Sequence, residues 1–377
     1  VMFGAVANID AGTSGTFYLD DFCANDHGGQ IGCAGITTTT VTTTSTTSTT
    51  TVTGTTTLPE AADPNASTDA RKVLEYIQDL SNEFMLGQHL AYASGAVATG
   101  WNDYYIDFYD TTGVYRWPAM VGVEYGWGST AAQRLTANTY LKRHWNCCGL
   151  VTIQWHAPNP WSGGDSHDLT NRNLADLSNP ASAVYPTWQG YMDDICTALQ
   201  DLEDDGVVVL WRPFHEMTFN NTWWWGVGAE PNPANPTNFI DMWQHMFDYF
   251  TTTKGLHNLL WVYSAANSDT WTHVDVAYPG DAYCDITGID LYDPGTIRGS
   301  GYARMLALGK PFALTEFGPP SDQRDGSYNN MDTVTLVSGS YPLTKYVLQW
   351  HSWSGNDVAM VDCLNLDNMC DSAWTVT

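Results

Sequence analysis

Two glutamates end short apolar runs in this chain. One lies in Trp211-Arg212-Pro213-Phe214-His215-Glu216-Met217, the other in Phe312-Ala313-Leu314-Thr315-Glu316-Phe317-Gly318. Two carboxyl groups held about 5 Å apart suffice for retaining glycoside hydrolysis, one serving as acid and then base, the other as nucleophile. The acid must carry a proton that the nucleophile lacks, so their surroundings have to separate their pKa values. Which glutamate takes which part does not follow from these segments alone. Arg212 can form a charged fork with a carboxylate and keep it ionised. His215 adjoins Glu216 and can orient a sugar hydroxyl, and Tyr292 is placed to hydrogen-bond Glu316.

Residues 100 positions apart meet only if a fold brings their strands together. From Leu58 onward, short continuous apolar runs alternate with helical stretches. The runs are Phe84 to His89, Ala119 to Tyr125, Leu150 to His156, Val207 to His215, Leu259 to Ser264, Ile286 to Tyr292, Pro311 to Phe317 and Tyr346 to Trp350. Their pattern suits parallel strands buried on both faces, and the intervals admit crossover helices such as Tyr191 to Asp204 and Asn238 to Thr252. Capping residues in Asn65 to Arg71 start a helix, with Val73, Leu74, Ile77 and Leu80 at helical spacing. Eight such units predict an α/β fold, the (β/α)8 TIM barrel, for which about 250 residues are typical. The polar residues cluster where the runs end: Gln88-His89, Glu124-Tyr125, Gln154 to His156, Arg212 to Glu216, Asn267, Asp290 to Tyr292, Glu316 and Gln349 to His351. In a barrel those ends converge on the C-terminal mouth, where active sites are built.

Three parts follow from composition. Residues 37–57 hold 16 threonines among 21, which cannot form a core and read as an extended linker. Residues 1–36 are too few to fold unaided and read as a remnant or fragment of an N-terminal carbohydrate-binding-like module, Gly15 to Phe22 resembling its last strand. Residues 58–377 are the catalytic domain. The chain begins at Val1 with no signal sequence, as expected of a processed or truncated secreted protein. The eight cysteines suit an oxidising compartment and lack zinc spacing. Cys23 with Cys33, Cys363 with Cys370, and Cys147 or Cys148 with Cys196 are the disulfides expected. Asn65-Ala66-Ser67 and Asn220-Asn221-Thr222 are glycosylation acceptor patterns. Lys and Arg total 14 against 41 Asp and Glu, a net charge of −27, which repels nucleic acid and acidic polysaccharide. No apolar run reaches the roughly 18 residues of a membrane helix.

Seventeen tryptophans and twenty tyrosines are a heavy aromatic load. Flat rings stack on the C–H faces of pyranoses while their polar rims tolerate water. Trp223-Trp224-Trp225 follows Glu216, Trp127 follows Glu124, and Trp161 follows His156.

In order along the chain, Leu86-Gly87-Gln88-His89, Val121 to Tyr125, Trp155-His156 with Asn159-Pro160, Arg212 to Met217, Trp224-Trp225-Gly226, Gly288 to Tyr292 and Glu316-Phe317-Gly318 resemble glycoside hydrolase family 26. The resemblance covers roughly Leu58 to Thr377 and implies an endo-β-1,4-mannanase. It implies Glu216 as acid/base, Glu316 as nucleophile, His156 and His215 as sugar contacts, Tyr292 as the nucleophile's partner and Trp225 as a cleft wall. The loop from Met217 to Trp223 is one residue longer than the family pattern, with Thr222 near a usual tryptophan position and Trp223 able to take its place. Glu124, Trp127, Trp161 and Trp223 complete the expected substrate contacts, with Arg212 in support. No metal or organic cofactor is expected. The partners expected are β-mannan or mannooligosaccharides, with no nucleic acid and no membrane, acting on a secreted monomer. A β-glucanase or β-1,3-xylanase of the same fold, and a non-catalytic polysaccharide-binding protein, are the alternatives.

Overall fold

A computed structural model describes residues 58–111, 116–219, 221–227, 236–267, 273–293 and 295–377. Residues 1–36, the linker 37–57, Cys23, Cys33 and the acceptor Asn220 lie outside the described residues.

Eight parallel strands close on themselves: β1 (Phe84–Tyr92), β2 (Met120–Glu124), β3 (Leu150–Trp155), β4 (Val209–Pro213), β5 (Leu259–Ala266), β6 (Ile286–Leu291), β7 (Phe312–Phe317) and β8 (Thr344–Gln349). Each pairs with the next, and β1 pairs with both β8 and β2, so the sheet has no free edge. A ninth short strand, β9 (Thr375–Val376), adds to the start of β1. Every expected apolar run is a strand of this (β/α)8 TIM barrel, because a strand covered by helices outside and side chains inside must be apolar on both faces.

The helices are α1 (Thr68–Asp79), α2 (Val97–Gly100), α3 (Asp107–Thr111), α4 (Ala131–Asn146), α5 (Tyr185–Asp204), α6 (Pro236–Asp248), α7 (Gly301–Ala307), α8 (Asn330–Ser340) and α9 (Leu366–Cys370). Ser67 caps α1, its hydroxyl accepting from Ala70 N. Thr130 and Gln133 form a capping box on α4. The helix expected from Tyr191 begins six residues earlier, at Tyr185, because Pro186 is favoured in a first turn.

Side chains inside the barrel change character with height. Met85, Met120, Leu150, Leu210, Leu260, Ile286 and Ala313 fill the lower end together with the buried face of α1. That helix thereby closes the N-terminal mouth. Above them lie His89, Gln154, Arg212, Ser264, Asp290 and Thr315, all buried and polar. The apolar floor supplies the stability, and the polar layer carries the site. Among the described residues no helix is long and apolar enough to cross a membrane.

The disulfide expectation is corrected for the described pairs. Cys196, Cys363 and Cys370 are buried thiols, and burial pushes each up to about 12. Helix register explains the first case. Asn138 lies beside Ala198, and Lys142 beside Asp201 and Asp205, so Cys147 at the end of α4 falls roughly three turns below Cys196.

Candidate active site

Glu216 sits just beyond β4 on a turn with unusual backbone. Phe214 and Glu216 both have positive φ, 50° and 55°, a region costly for residues with a Cβ. The turn is held by Glu216 N donating to Ser264 O at 2.8 Å and by Phe219 N donating to Glu216 O at 3.0 Å. Its carboxyl accepts from Trp223 Nε1 at 3.1 Å. Backbone strain at an over-determined position of this kind is typical of a functional turn.

Glu316 reaches the mouth through a bulge. Ile289 of β6 pairs with Leu314 and Asp290 pairs with Glu316, leaving Thr315 as an extra residue in β7. Consecutive strand residues normally face opposite sides, but here both turn inward. Thr315 Oγ1 donates to Asp290 Oδ1 at 2.9 Å. Glu316 accepts from Arg212 Nη2 at 2.6 Å and from Tyr292 OH at 2.8 Å. Arg212 also donates Nη1 to Asp290 Oδ2 at 2.7 Å, and Ser264 Oγ donates to Asp290 Oδ1 at 2.6 Å. One buried guanidinium thus joins two carboxylates from neighbouring strands.

His156 directly follows β3 and is fixed by Glu124 of β2. The Glu124 carboxylate accepts from His156 Nδ1 and His156 N, each at 2.7 Å, and from Gly126 N. Both oxygens are therefore occupied and the residue is fully buried, so Glu124 orients His156 and offers nothing to a substrate directly. His156 packs edge-on to His215, centroids 4.3 Å apart, and to Trp223 at 4.7 Å. Trp127 closes the same group, 4.9 Å from His156.

Two aromatic expectations change. Trp225 is wholly buried, stacked beneath Trp223 at 5.3 Å and donating Nε1 to His215 O at 2.8 Å. It is a foundation for Trp223 and His215, and Trp223 in turn reaches Glu216. Trp161 packs on Trp224 at 5.7 Å and donates Nε1 to Asp176 at 3.3 Å, apart from the rings around Glu216.

Electrostatics separate the acidic groups. Burial, then the charges of Asp290 and Glu316, hold Glu216 well above the usual carboxylate range, against the opposing pull of Trp223 and Arg212. Burial pushes Asp290 up to about 7 against Arg212, with Glu316 adding to the rise. Burial and then Arg212 keep His215 neutral, well below the ordinary histidine range. Burial and then Glu316 raise the Tyr292 hydroxyl, so it stays a donor. The tertiary structure also groups His215, Asp290 and Glu316, whose ligand atoms lie within 4.8 Å of one another. Arg212 already supplies the cation between the two carboxylates of that group.

A sequence profile of glycosyl hydrolase family 26 matches residues 62–377. The chain belongs to that family. A mannan endo-1,4-beta-mannosidase A and B of Caldalkalibacillus mannanilyticus is 37% identical over 225 residues, 58% of this chain and 43% of that protein. A mannan endo-1,4-beta-mannosidase of Bacillus subtilis is 35% identical over 247 residues, 62% of this chain and 66% of that protein. These matches therefore span less than two thirds of either relative. The structure of a Bacillus subtilis mannanase superposes with a TM-score of 0.73 at 25% identity, covering 85% of this chain and 95% of that one.

Within this family 26 barrel, sequence reasoning passed over four residues of the site. Asp290 was visible only as a polar strand end, and the hydroxyls of Ser264 and Thr315 both donate to it. His167 stacks on Trp223 at 4.4 Å from a loop 56 residues earlier, with no local signal to mark it.

Proposed function

We propose that this family 26 chain is a secreted, retaining endo-β-1,4-mannanase that cleaves internal bonds of mannan, galactomannan or glucomannan. The observation that carries the reading is the unequal treatment of two glutamates at one barrel mouth. Glu316 is paired with a buried guanidinium, whereas Glu216 is desolvated and disfavoured as an anion. The names of the relatives support the substrate class.

Glu316 attacks the anomeric carbon, and protonated Glu216 gives its proton to the departing glycosidic oxygen. The resulting glycosyl-enzyme is hydrolysed when Glu216, now a base, takes a proton from water, so configuration is retained. Tyr292 holds one oxygen of Glu316 and Arg212 the other, fixing the line of attack. His156, with Glu124 on Nδ1, presents its other ring nitrogen toward the sugar. The chain needs no metal or organic cofactor for these steps and acts as a monomer outside the cell on a neutral polysaccharide, its negative charge turning nucleic acid away.

Hydrolysis of mannohexaose beside cellohexaose and a β-1,3-xylan, followed by proton NMR, tests this reading. β-Configured mannooligosaccharides as first products, lost in Glu316→Ala and strongly reduced in Glu216→Ala, support it. Cleavage of another polymer instead sinks the mannan assignment, and α-configured first products sink the retaining mechanism.

A further inference from the structure

Beyond the carboxylates, one aromatic stands apart. Trp353 is the most exposed of the described tryptophans, with 36% of its surface open, whereas most others are core residues. It is held rigidly. Trp353 and Asn356 exchange backbone hydrogen bonds of 3.0 and 2.7 Å around a two-residue turn, and Gly355 takes the positive φ of 78° that the turn requires. Ser352 beside it anchors the loop, accepting from Val358 N at 2.8 Å and Ala359 N at 3.0 Å and donating to Asp362 at 2.5 Å.

The surroundings tie this ring to the reaction centre. The Arg324 guanidinium lies over Trp353 at 5.7 Å and over Tyr292 at 5.2 Å. Asp293 at 3.2 Å and Pro319 O at 2.8 Å hold that guanidinium in place. Tyr292 meets Trp353 edge-on at 6.5 Å and donates to Glu316. One face of the indole is thus covered by a cation, while over a third of the residue stays exposed. A flat ring kept partly exposed on a braced turn close to Tyr292 and Glu316 is suited to stack on a sugar ring.

We propose that Trp353, positioned by Arg324, is a sugar subsite flanking the cleavage point, stacking on a pyranose ring of the β-1,4-mannan chain. This rests on the mannanase reading above and adds a subsite to it. Arg324 is a positioning residue, since its contacts are to Trp353, Tyr292, Asp293 and Pro319.

The test is steady-state kinetics on mannotriose through mannohexaose for the parent, Trp353→Ala, Trp353→Phe and Arg324→Ala. In Trp353→Ala, KM for mannohexaose rises about tenfold, the scale of one aromatic contact, with kcat changed less than about twofold. The gain in kcat/KM from short to long oligosaccharides shrinks with it. Trp353→Phe restores most of the loss, and Arg324→Ala shows a smaller rise in KM. Unaltered KM and chain-length dependence in Trp353→Ala overturn the subsite, as does a Trp353→Phe variant no better than Trp353→Ala. A parent that turns over none of these sugars fails the mannan reading itself, and the subsite falls with it.

Discussion

The Trp223 indole N–H donates to Glu216 Oε2 at 3.1 Å, and the same ring stacks on Trp225 below it. The proposed acid is therefore held by an aromatic residue that its own loop delivers. The hydrogen bond favours the charged form of Glu216, while burial and the charges of Asp290 and Glu316 favour the neutral one and prevail.

The alkaline limb of the pH–rate profile should report Glu216. A raised pKa keeps the proton on the acid above the ordinary carboxylate range, and activity declines as pH rises through that pKa. Trp223→Phe removes a donor that stabilises the anion, so the limb should move to higher pH. A profile of kcat/KM against pH in both proteins checks this, and a shift to lower pH would contradict it.

Replacing Arg212 should expose the cost of its two carboxylate partners. Arg212→Met leaves Asp290 and Glu316 buried without their cation and should destabilise the barrel by about 3–5 kcal/mol, read in denaturant unfolding. Arg212→Lys keeps the charge but cannot reach both carboxylates as a planar fork. It should stay folded and lose about 100-fold in kcat, because Glu316 is no longer held in line.

Glu124 should behave as a positioning residue. Glu124→Ala leaves the donors on Gly126 N, His156 N and His156 Nδ1 unpaired, at about 1–3 kcal/mol for each buried group, so the melting temperature should fall. Glu124→Gln should keep most of the stability yet lower kcat, since its amide N–H cannot accept from His156 Nδ1. Equal stability and equal kcat in both variants would refute the assignment.

Alkylation under denaturing conditions without a reductant should label Cys196, Cys284, Cys363 and Cys370 completely. In the folded protein, burial should protect the same thiols, because the reactive thiolate is disfavoured there. Peptide mass spectrometry distinguishes the two states. A Cys363–Cys370 crosslink in the unreduced digest would reverse the finding.

The barrel was legible because its strands are buried on both faces and so appear as continuous apolar runs, with polar residues collected at their ends. Glu216 and Glu316 stood out for the same reason, as acids where a buried run stops. Among the described cysteines, the pairing of Cys147 with Cys196 is set aside because cysteine number carries no information about helix register, which holds the two apart. The resemblance implies Trp225 as a cleft wall, but its ring lies wholly buried against Trp223, since a motif does not say which of three successive tryptophans lies uppermost.

The order of elements, the two glutamates and the aromatic supply were determined by the sequence itself, since local periodicity and residue type follow from neighbours along the chain. The unequal surroundings of the two glutamates, on which their proposed division of labour rests, exist only in the tertiary structure. Charge preference depends on solvent, counter-ions and hydrogen bonds contributed from several strands. The bulge at Thr315, the guanidinium shared by Asp290 and Glu316, and the indole on Glu216 exist only once β4, β6 and β7 and their loops are assembled.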